Sequence, residues 1–322
     1  MFIASFYKFV QLRELEELRA SVEQTCRDRG VKGTIILATE GINASIGAPS
    51  EKDLESCLDE ILGSLSLGNL LINRSKSGPT TDVFDQLIVR VRGEIVTFGE
   101  SFDFSKPRLP KADSDYWNKM LNDPNCSILD VRNEYEVRLG RFERSISPKT
   151  HSFGEFRDWA ENAHPKLKRN PIGIYCTGGI RCEKAAQLLD ESGFERVTQL
   201  DGGILNYLAS KPDSSHWTGE CFVFDKRVSV DADLQEGTAT QCHACRRPLS
   251  REDRETDHYE EGISCPHCWN EIPDQRREGL RERAKQMAIA QERNQYHIGK
   301  KAQPVDPNNR SSPSKQSSRE RS

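Results

Sequence analysis

Cys176-Thr177-Gly178-Gly179-Ile180-Arg181-Cys182-Glu183-Lys184 follows the apolar run Ile172, Gly173, Ile174, Tyr175 and precedes Ala185, Ala186, Leu188 and Leu189. The first run reads as a buried strand, and the later apolar residues are spaced like the inner face of a helix. A strand passing through a glycine turn into a helix is the basic step of an α/β fold. It sets Cys176 where backbone N–H groups and the positive end of the helix dipole favour an anion. Gly178 and Gly179 remove Cβ atoms that would block a backbone wrap around it, and Arg181 is expected to add a fixed positive charge at the rim. Such surroundings bring a thiol from about 8.5 to roughly 3.5–7.5. The competing reading is an inert cysteine packed in an α/β core, since free Cys is often buried; the glycine pair and the arginine favour a reactive, reachable sulfur.

Upstream, Ser127-Ile128-Leu129-Asp130-Val131-Arg132 reads as a strand ending in Asp-x-Arg, followed by Glu134, Glu136 and Gly140-Arg141-Phe142. Downstream, Val197 to Leu200 reads as a strand entering the turn Asp201-Gly202-Gly203. On these motifs residues 116–220 resemble a rhodanese domain, a parallel sheet covered by helices with its reactive cysteine at the carboxyl end of a central strand. Gly140-Arg141-Phe142 departs mildly from that family's Gly-His-Phe. The resemblance implies catalytic roles for Cys176 and Arg181, a loop formed by Thr177, Gly178, Gly179 and Ile180, and a shaping role for Asp130 and Arg132. Cys176 and Arg181 enclose four residues, one fewer than in related phosphatases, so the resemblance implies a persulfide on Cys176 rather than phosphocysteine. Cys182 either resolves an oxidised Cys176 or only packs.

At 322 residues the chain suits two or three domains. Phe2–Phe9, a helix from Leu12 to Arg29, Lys32–Ala38, Ile42–Ile46, a helix Glu51–Leu65 and a last strand at Leu87–Val91 give a ferredoxin-like βαββαβ unit over residues 1–100. Such units often bind RNA or serve as scaffolds, so fold alone decides nothing. Thr39-Glu40-Gly41 reads as a hairpin turn, structural unless shown otherwise. Lys32, Arg74, Lys76, Arg90 and Arg92 form a candidate basic face for phosphates, although surface cations are usually just solvated. Residues 101–115, with Pro107 and Pro110, read as a linker.

Cys242-x2-Cys245 and Cys265-x2-Cys268, nineteen residues apart, have four-thiolate ribbon spacing. Four sulfurs complete a tetrahedral Zn²⁺ shell, so a structural zinc is expected over a paired redox dithiol. This module, residues 238–298, includes a basic helix from Gln275 to Gln295 with five basic and two acidic residues between Arg276 and Lys285. Residues 299–322 are too polar to bury a core and are expected to be disordered.

Net charge is −4, so any nucleic-acid contact must use local patches. No apolar stretch approaches the roughly 18 residues a membrane span needs, and the start lacks a signal peptide's basic region. The ten cysteines are not spread like a disulfide framework, which together with the missing signal leads to the expectation of a reducing cytoplasm.

Three modules in this order, with Glu40-Gly41-Ile42-Asn43, the Cys176–Lys184 loop and the paired knuckles, resemble the rhodanese-containing tRNA uridine hydroxylases from Met1 to about Ile289. The resemblance implies oxygen-dependent conversion of uridine 34, the wobble position, to 5-hydroxyuridine, with O2 as co-substrate, the anticodon region of tRNA as partner and Cys176 essential. No GxGxxG fingerprint for flavin or nicotinamide and no two-histidine-plus-carboxylate set stands out, which points to Cys176 itself as nucleophile or oxygen carrier. Two other classes stay open, a thiosulfate or persulfide sulfurtransferase and a non-catalytic RNA-binding adaptor; oligomeric state is not legible.

Overall fold

The computed structural model describes residues 1–292 apart from positions 69, 79–82, 107 and 211–215. The expected tail at 299–322 and the end of the basic helix lie outside the described residues.

The first unit runs β1 (Phe2–Phe9), α1 (Leu15–Asp28), β2 (Lys32–Ala38), β3 (Gly41–Ala48), α2 (Glu51–Ser64), β4 (Asn73–Lys76), β5 (Leu87–Val91). Its sheet has the order β4-β1-β3-β2-β5, antiparallel except for the parallel pair of β2 and β5. Alternation along the strands sends Ala4, Phe6, Ile35, Leu37, Ala44 and Ile46 into one core with Val22 and Cys26 of α1 and Leu54, Leu58 and Ile61 of α2. Both helices cover that face; the other carries polar side chains such as Ser5, Asn43 and Ser45 together with the buried Ile3, Phe9 and Ala38. The expected βαββαβ order is present, but its last strand is not Leu87–Val91. Asn73–Lys76 pairs with β1 in that place, and Leu87–Val91 is an added strand at the opposite edge. The polar edge strand has no apolar residue to reveal its period.

That arrangement divides the expected basic face. Arg74 reaches the helix side, where it pairs with Glu55 of α2 at 2.8 Å, and Lys76 sits 4.5 Å above the Phe2 ring. By strand alternation Lys32 and Arg90 project from the other face, with Arg92 just beyond β5.

The stretch expected to be a linker is docked at two points: Phe102 and Ala112 are buried, and β6 (Lys111–Ala112) already belongs to the second sheet. The second unit continues with α3 (Ser114–Asn122), β7 (Ser127–Asp130), α4 (Glu134–Val137), β8 (Gly140–Phe142), α5 (Phe156–Glu161), α6 (Pro165–Arg169), β9 (Ile172–Tyr175), α7 (Ile180–Glu191), β10 (Val197–Leu200) and α8 (Gly203–Ala209). Its four parallel strands run β6-β10-β9-β7. Trp117 of α3 and Ile204 and Tyr207 of α8 pack on one face with Tyr175, and Phe156 of α5 and Ala185 and Leu189 of α7 pack on the other with Ile172 and Ile174. Burial on both faces explains the unbroken apolar character of β9.

From there β11 (Trp217–Gly219) pairs with β8, and β12 (Cys221–Phe222) pairs with β13 (Ser229–Val230). The carboxyl-terminal module holds β14 (Thr240–Gln241), β15 (Pro248–Leu249), α9 (Arg251–Arg254) and α10 (Asp274–Glu292). No described helix is long and apolar enough to cross a membrane.

Candidate functional site

Cys176 directly follows β9, an inner strand of the second sheet, and the turn after it leads into α7. The Gly179 N–H donates to the Cys176 Sγ at 3.1 Å. Burial pushes this thiol up, but the Cys182 thiol, the Arg181 charge and the N–H groups of Cys182 and Arg181 outweigh it and bring it down from 9.0 to about 6. The two sulfurs take opposite roles, since burial and the neighbouring Cys176 push Cys182 well above its usual value. Cys182 therefore remains a thiol and donates to a Cys176 thiolate.

The glycine pair is unequal. Gly179 has φ +97°, and a Cβ there would meet the Tyr7 hydroxyl at 2.9 Å. Gly178 has room, with Asn73 Nδ2 3.9 Å from the place of a Cβ. Only Gly179 is demanded by the backbone. Ile180 packs toward Phe9, Ala38 and Phe102 of the first unit and the docked stretch.

Arg181 does not stand at the rim. Its side chain is 7 % exposed, and its two terminal nitrogens donate to Glu136 Oε2 and Oε1 at 2.6 and 2.7 Å. Burial pushes Glu136 up, and Arg181 more than offsets that, so the carboxyl lies below its usual range. Thr177 also donates to Glu136, at 3.3 Å. Glu136 owes its position to α4, where it closes a capping box with Asn133. It is the main residue that sequence reading left unassigned; the signal was a Glu one helical turn past Asp-x-Arg.

Asp130 and Arg132 are fully buried and paired to each other, at 2.6 Å for Nη2 to Oδ2. Arg132 also donates to the Gly140 carbonyl at 2.7 Å and lies against the Tyr175 and Trp217 rings. The pair braces the floor beside the loop, and its charge reaches the loop through Glu136.

The sulfur is less accessible than the sequence suggests, with Cys176 only 1 % exposed. The helix-free face of the first sheet covers the loop. Tyr7 donates to Glu183 of α7 at 3.3 Å, Asn73 lies beside Gly178, and Leu71 lies against Gly202. Together these groups leave Cys176 without an open face.

Two motifs far apart in sequence fix this seam. Lys184 of α7 is 2 % exposed and pairs with Glu40 at 3.0 Å and Glu94 at 2.5 Å. Glu40 in turn accepts from the backbone N–H groups of Ile95 at 2.9 Å and Phe102 at 2.8 Å. Glu40 thus clamps the docked stretch as well as shaping a hairpin turn. Removing either partner would strand a buried charge.

Cys242, Cys245, Cys265 and Cys268 converge with all sulfurs within 4.8 Å and can hold a metal ion. Observed Sγ separations of 3.5, 3.7 and 3.9 Å match the edge of about 3.8 Å for a tetrahedron of 2.3 Å metal–sulfur bonds. His267 faces elsewhere, toward Asp253 at 3.0 Å and Arg138 at 3.2 Å. Of the expected basic helix, Arg277 and Arg281 are engaged by Asp274 and Glu260, which leaves a smaller exposed patch than composition suggests.

Fold and loop together define a rhodanese-like unit joined to an acylphosphatase-like one. The sequence profile of the UPF0176 acylphosphatase like domain matches residues 1–95, and that of the Rhodanese-like domain matches residues 113–210. The chain is 41% identical over 300 residues to a tRNA uridine(34) hydroxylase of Acaryochloris marina, covering 92% of this chain and 96% of that protein. It is 42% identical over 300 residues to the tRNA uridine(34) hydroxylase of Sinorhizobium fredii, covering 92% and 94%, and 39% identical over 303 residues to that of Teredinibacter turnerae, covering 93% of each. The chain belongs to the tRNA uridine(34) hydroxylase family.

Proposed function

We propose that this protein is a cytoplasmic oxidoreductase that hydroxylates the wobble uridine 34 in the anticodon region of tRNA to 5-hydroxyuridine, with O2 as co-substrate and Cys176 as the catalytic residue. The carrying observation is a sulfur ionised from about pH 6 upward in a protein 41% identical to a tRNA uridine(34) hydroxylase along nearly its whole length. Addition of a thiolate to C6 of uracil makes C5 electron-rich, which is where the oxygen must enter; loss of the C5 proton and the thiolate then restores the ring. Net, one atom of O2 enters at C5 and the other leaves as water, with two electrons and two protons from a cellular reductant. Arg181 supports the charge on Cys176 and, with Glu136 and Thr177, holds the loop's shape; Gly178, Gly179 and Ile180 supply its backbone and its contact with the first unit; Asp130 and Arg132 hold the floor. Cys182 supports the thiolate as a donor.

In the same reading the four clustered cysteines hold Zn²⁺ as a closed structural site, and the chain divides into units at 1–100, 116–220 extended back to take in β6 and the start of α3, and 238–298. The test is mass spectrometry of tRNA nucleosides from cells lacking the native enzyme, complemented with the wild-type chain or with Cys176→Ser. Wild type should restore 5-hydroxyuridine and the variant should not; full restoration by the variant ends the reading.

A further inference from the structure

Four large apolar side chains are exposed among the described residues: Leu71, Phe104, Tyr116 and Phe224. Two border the Cys176 loop. Leu71 lies against Gly202, in the turn that packs on the Cys176 carbonyl. Phe224 lies over the Arg181 guanidinium, 5.8 Å from ring centroid to carbon, and at 65 % exposure is the most open of the four.

Phe224 is held in place despite that exposure. It follows β12, and its ring meets Phe222 edge-on at 5.0 Å, while Phe222 packs edge-on against Tyr135 of α4 at 5.4 Å. The loop is closed by the Val223 N–H donating to the Val228 carbonyl at 2.9 Å. On its other side Arg227 donates to Ser75 of β4 at 3.0 Å, and Lys226 pairs with Asp85 at 2.5 Å. One short loop is therefore anchored to both units that enclose Cys176 and presents an open aromatic face at their junction. A ring held open while its loop is anchored on both sides offers its face to a ligand.

We propose that Phe224 is a stacking platform for an unpaired nucleobase of the substrate RNA, holding position 34 or an adjacent base at the entrance to the Cys176 loop. This rests on the tRNA-modifying reading above. A rigid ring backed by a guanidinium offers a flat π-face to any base, and sequence-tolerant stacking is how single-stranded RNA loops are commonly held. The arrangement suits an RNA loop better than a thiosulfate-sized substrate, which needs no aromatic face. Phe224 is a binding residue: it acts by placing the RNA.

The test uses the full chain and a synthetic anticodon stem-loop RNA with uridine at position 34, alongside three otherwise identical RNAs abasic at 33, 34 or 35. Phe224→Ala should weaken binding about five- to hundred-fold, the range measured for losing one base–aromatic stack, and raise KM with little change in kcat. Phe224→Trp should restore binding and Phe224→Leu should not. On one of the three abasic RNAs the penalty for Phe224→Ala should vanish. Binding by Phe224→Ala equal to wild type, full rescue by leucine, or a penalty unchanged on all three abasic RNAs each overturns the platform. A wild-type chain that neither binds nor modifies the uridine RNA overturns the tRNA-modifying reading, and the platform with it. A wild type that works alongside an unimpaired Phe224→Ala overturns the platform alone.

Discussion

Two cysteine clusters in one chain show how surroundings divide the chemistry of the same atom. In the Cys176 loop a single sulfur faces backbone N–H groups, a buried guanidinium and a neutral thiol, which together favour its negative charge. In the carboxyl-terminal module four sulfurs converge to within 4.8 Å of one another. Four thiolates at this spacing suit one shared tetrahedral cation. A cradle of N–H groups favours a thiolate; a tetrahedron of sulfurs suits a shared cation.

The largest effect should come from removing the metal proposed for this cluster. Structural zinc sites are worth roughly 10–16 kcal/mol in peptides at neutral pH, so chelation or Cys265→Ser should expose residues 238–272 to trypsin and release one metal per chain. The thiolate absorbance of Cys176 should still titrate near 6. A shift in that titration on metal loss would join two clusters that the structure keeps apart.

Cys176→Ser should reduce hydroxylation on the order of 10³-fold or more, as loss of a nucleophile does, and melt cooperatively. Because Cys176 is depressed in the folded state, its contribution to stability is fully present above the unfolded value of about 8.5 and is lost as pH falls through about 6. The serine variant should therefore lose more stability relative to wild type at pH 8.5 than at pH 5, by thermal melting. An equal loss at both values would mean that the cradle favours no charge.

Glu136→Gln should cost about 3–5 kcal/mol in denaturant unfolding, because it leaves Arg181 buried without its counter-charge. It should also lower the Cys176 midpoint further, since the guanidinium field is no longer offset. A raised midpoint would show that loop geometry outweighs charge. The smallest change is Cys182→Ala, which removes a donor that helps to lower Cys176; its midpoint should move upward in a difference titration at 240 nm, while Cys182→Ser, which retains a donor, should move it less.

The legible parts of this molecule are those whose cause is local. Strand, turn and helix around Cys176 are contiguous, and the paired knuckles declare themselves by spacing. The polar strand Asn73–Lys76 was not legible, because pairing with β1 is its only structural signal. Glu136 was visible as a residue but not as the partner of Arg181, since contact across 45 positions depends on how α4 meets α7. Glu40 and Lys184 stood in two separately noted motifs, and only folding made them one clamp.

By itself the sequence determined the module order, the cysteine at the end of a central strand and the four-sulfur set, because each follows from period and spacing along a few residues. Tertiary structure alone decided that Arg181 is neutralised, that the first sheet closes over Cys176, and that Phe224 stands open beside it. Those outcomes depend on packing between residues distant in the chain, where burial and charge pairing are settled by which surfaces meet.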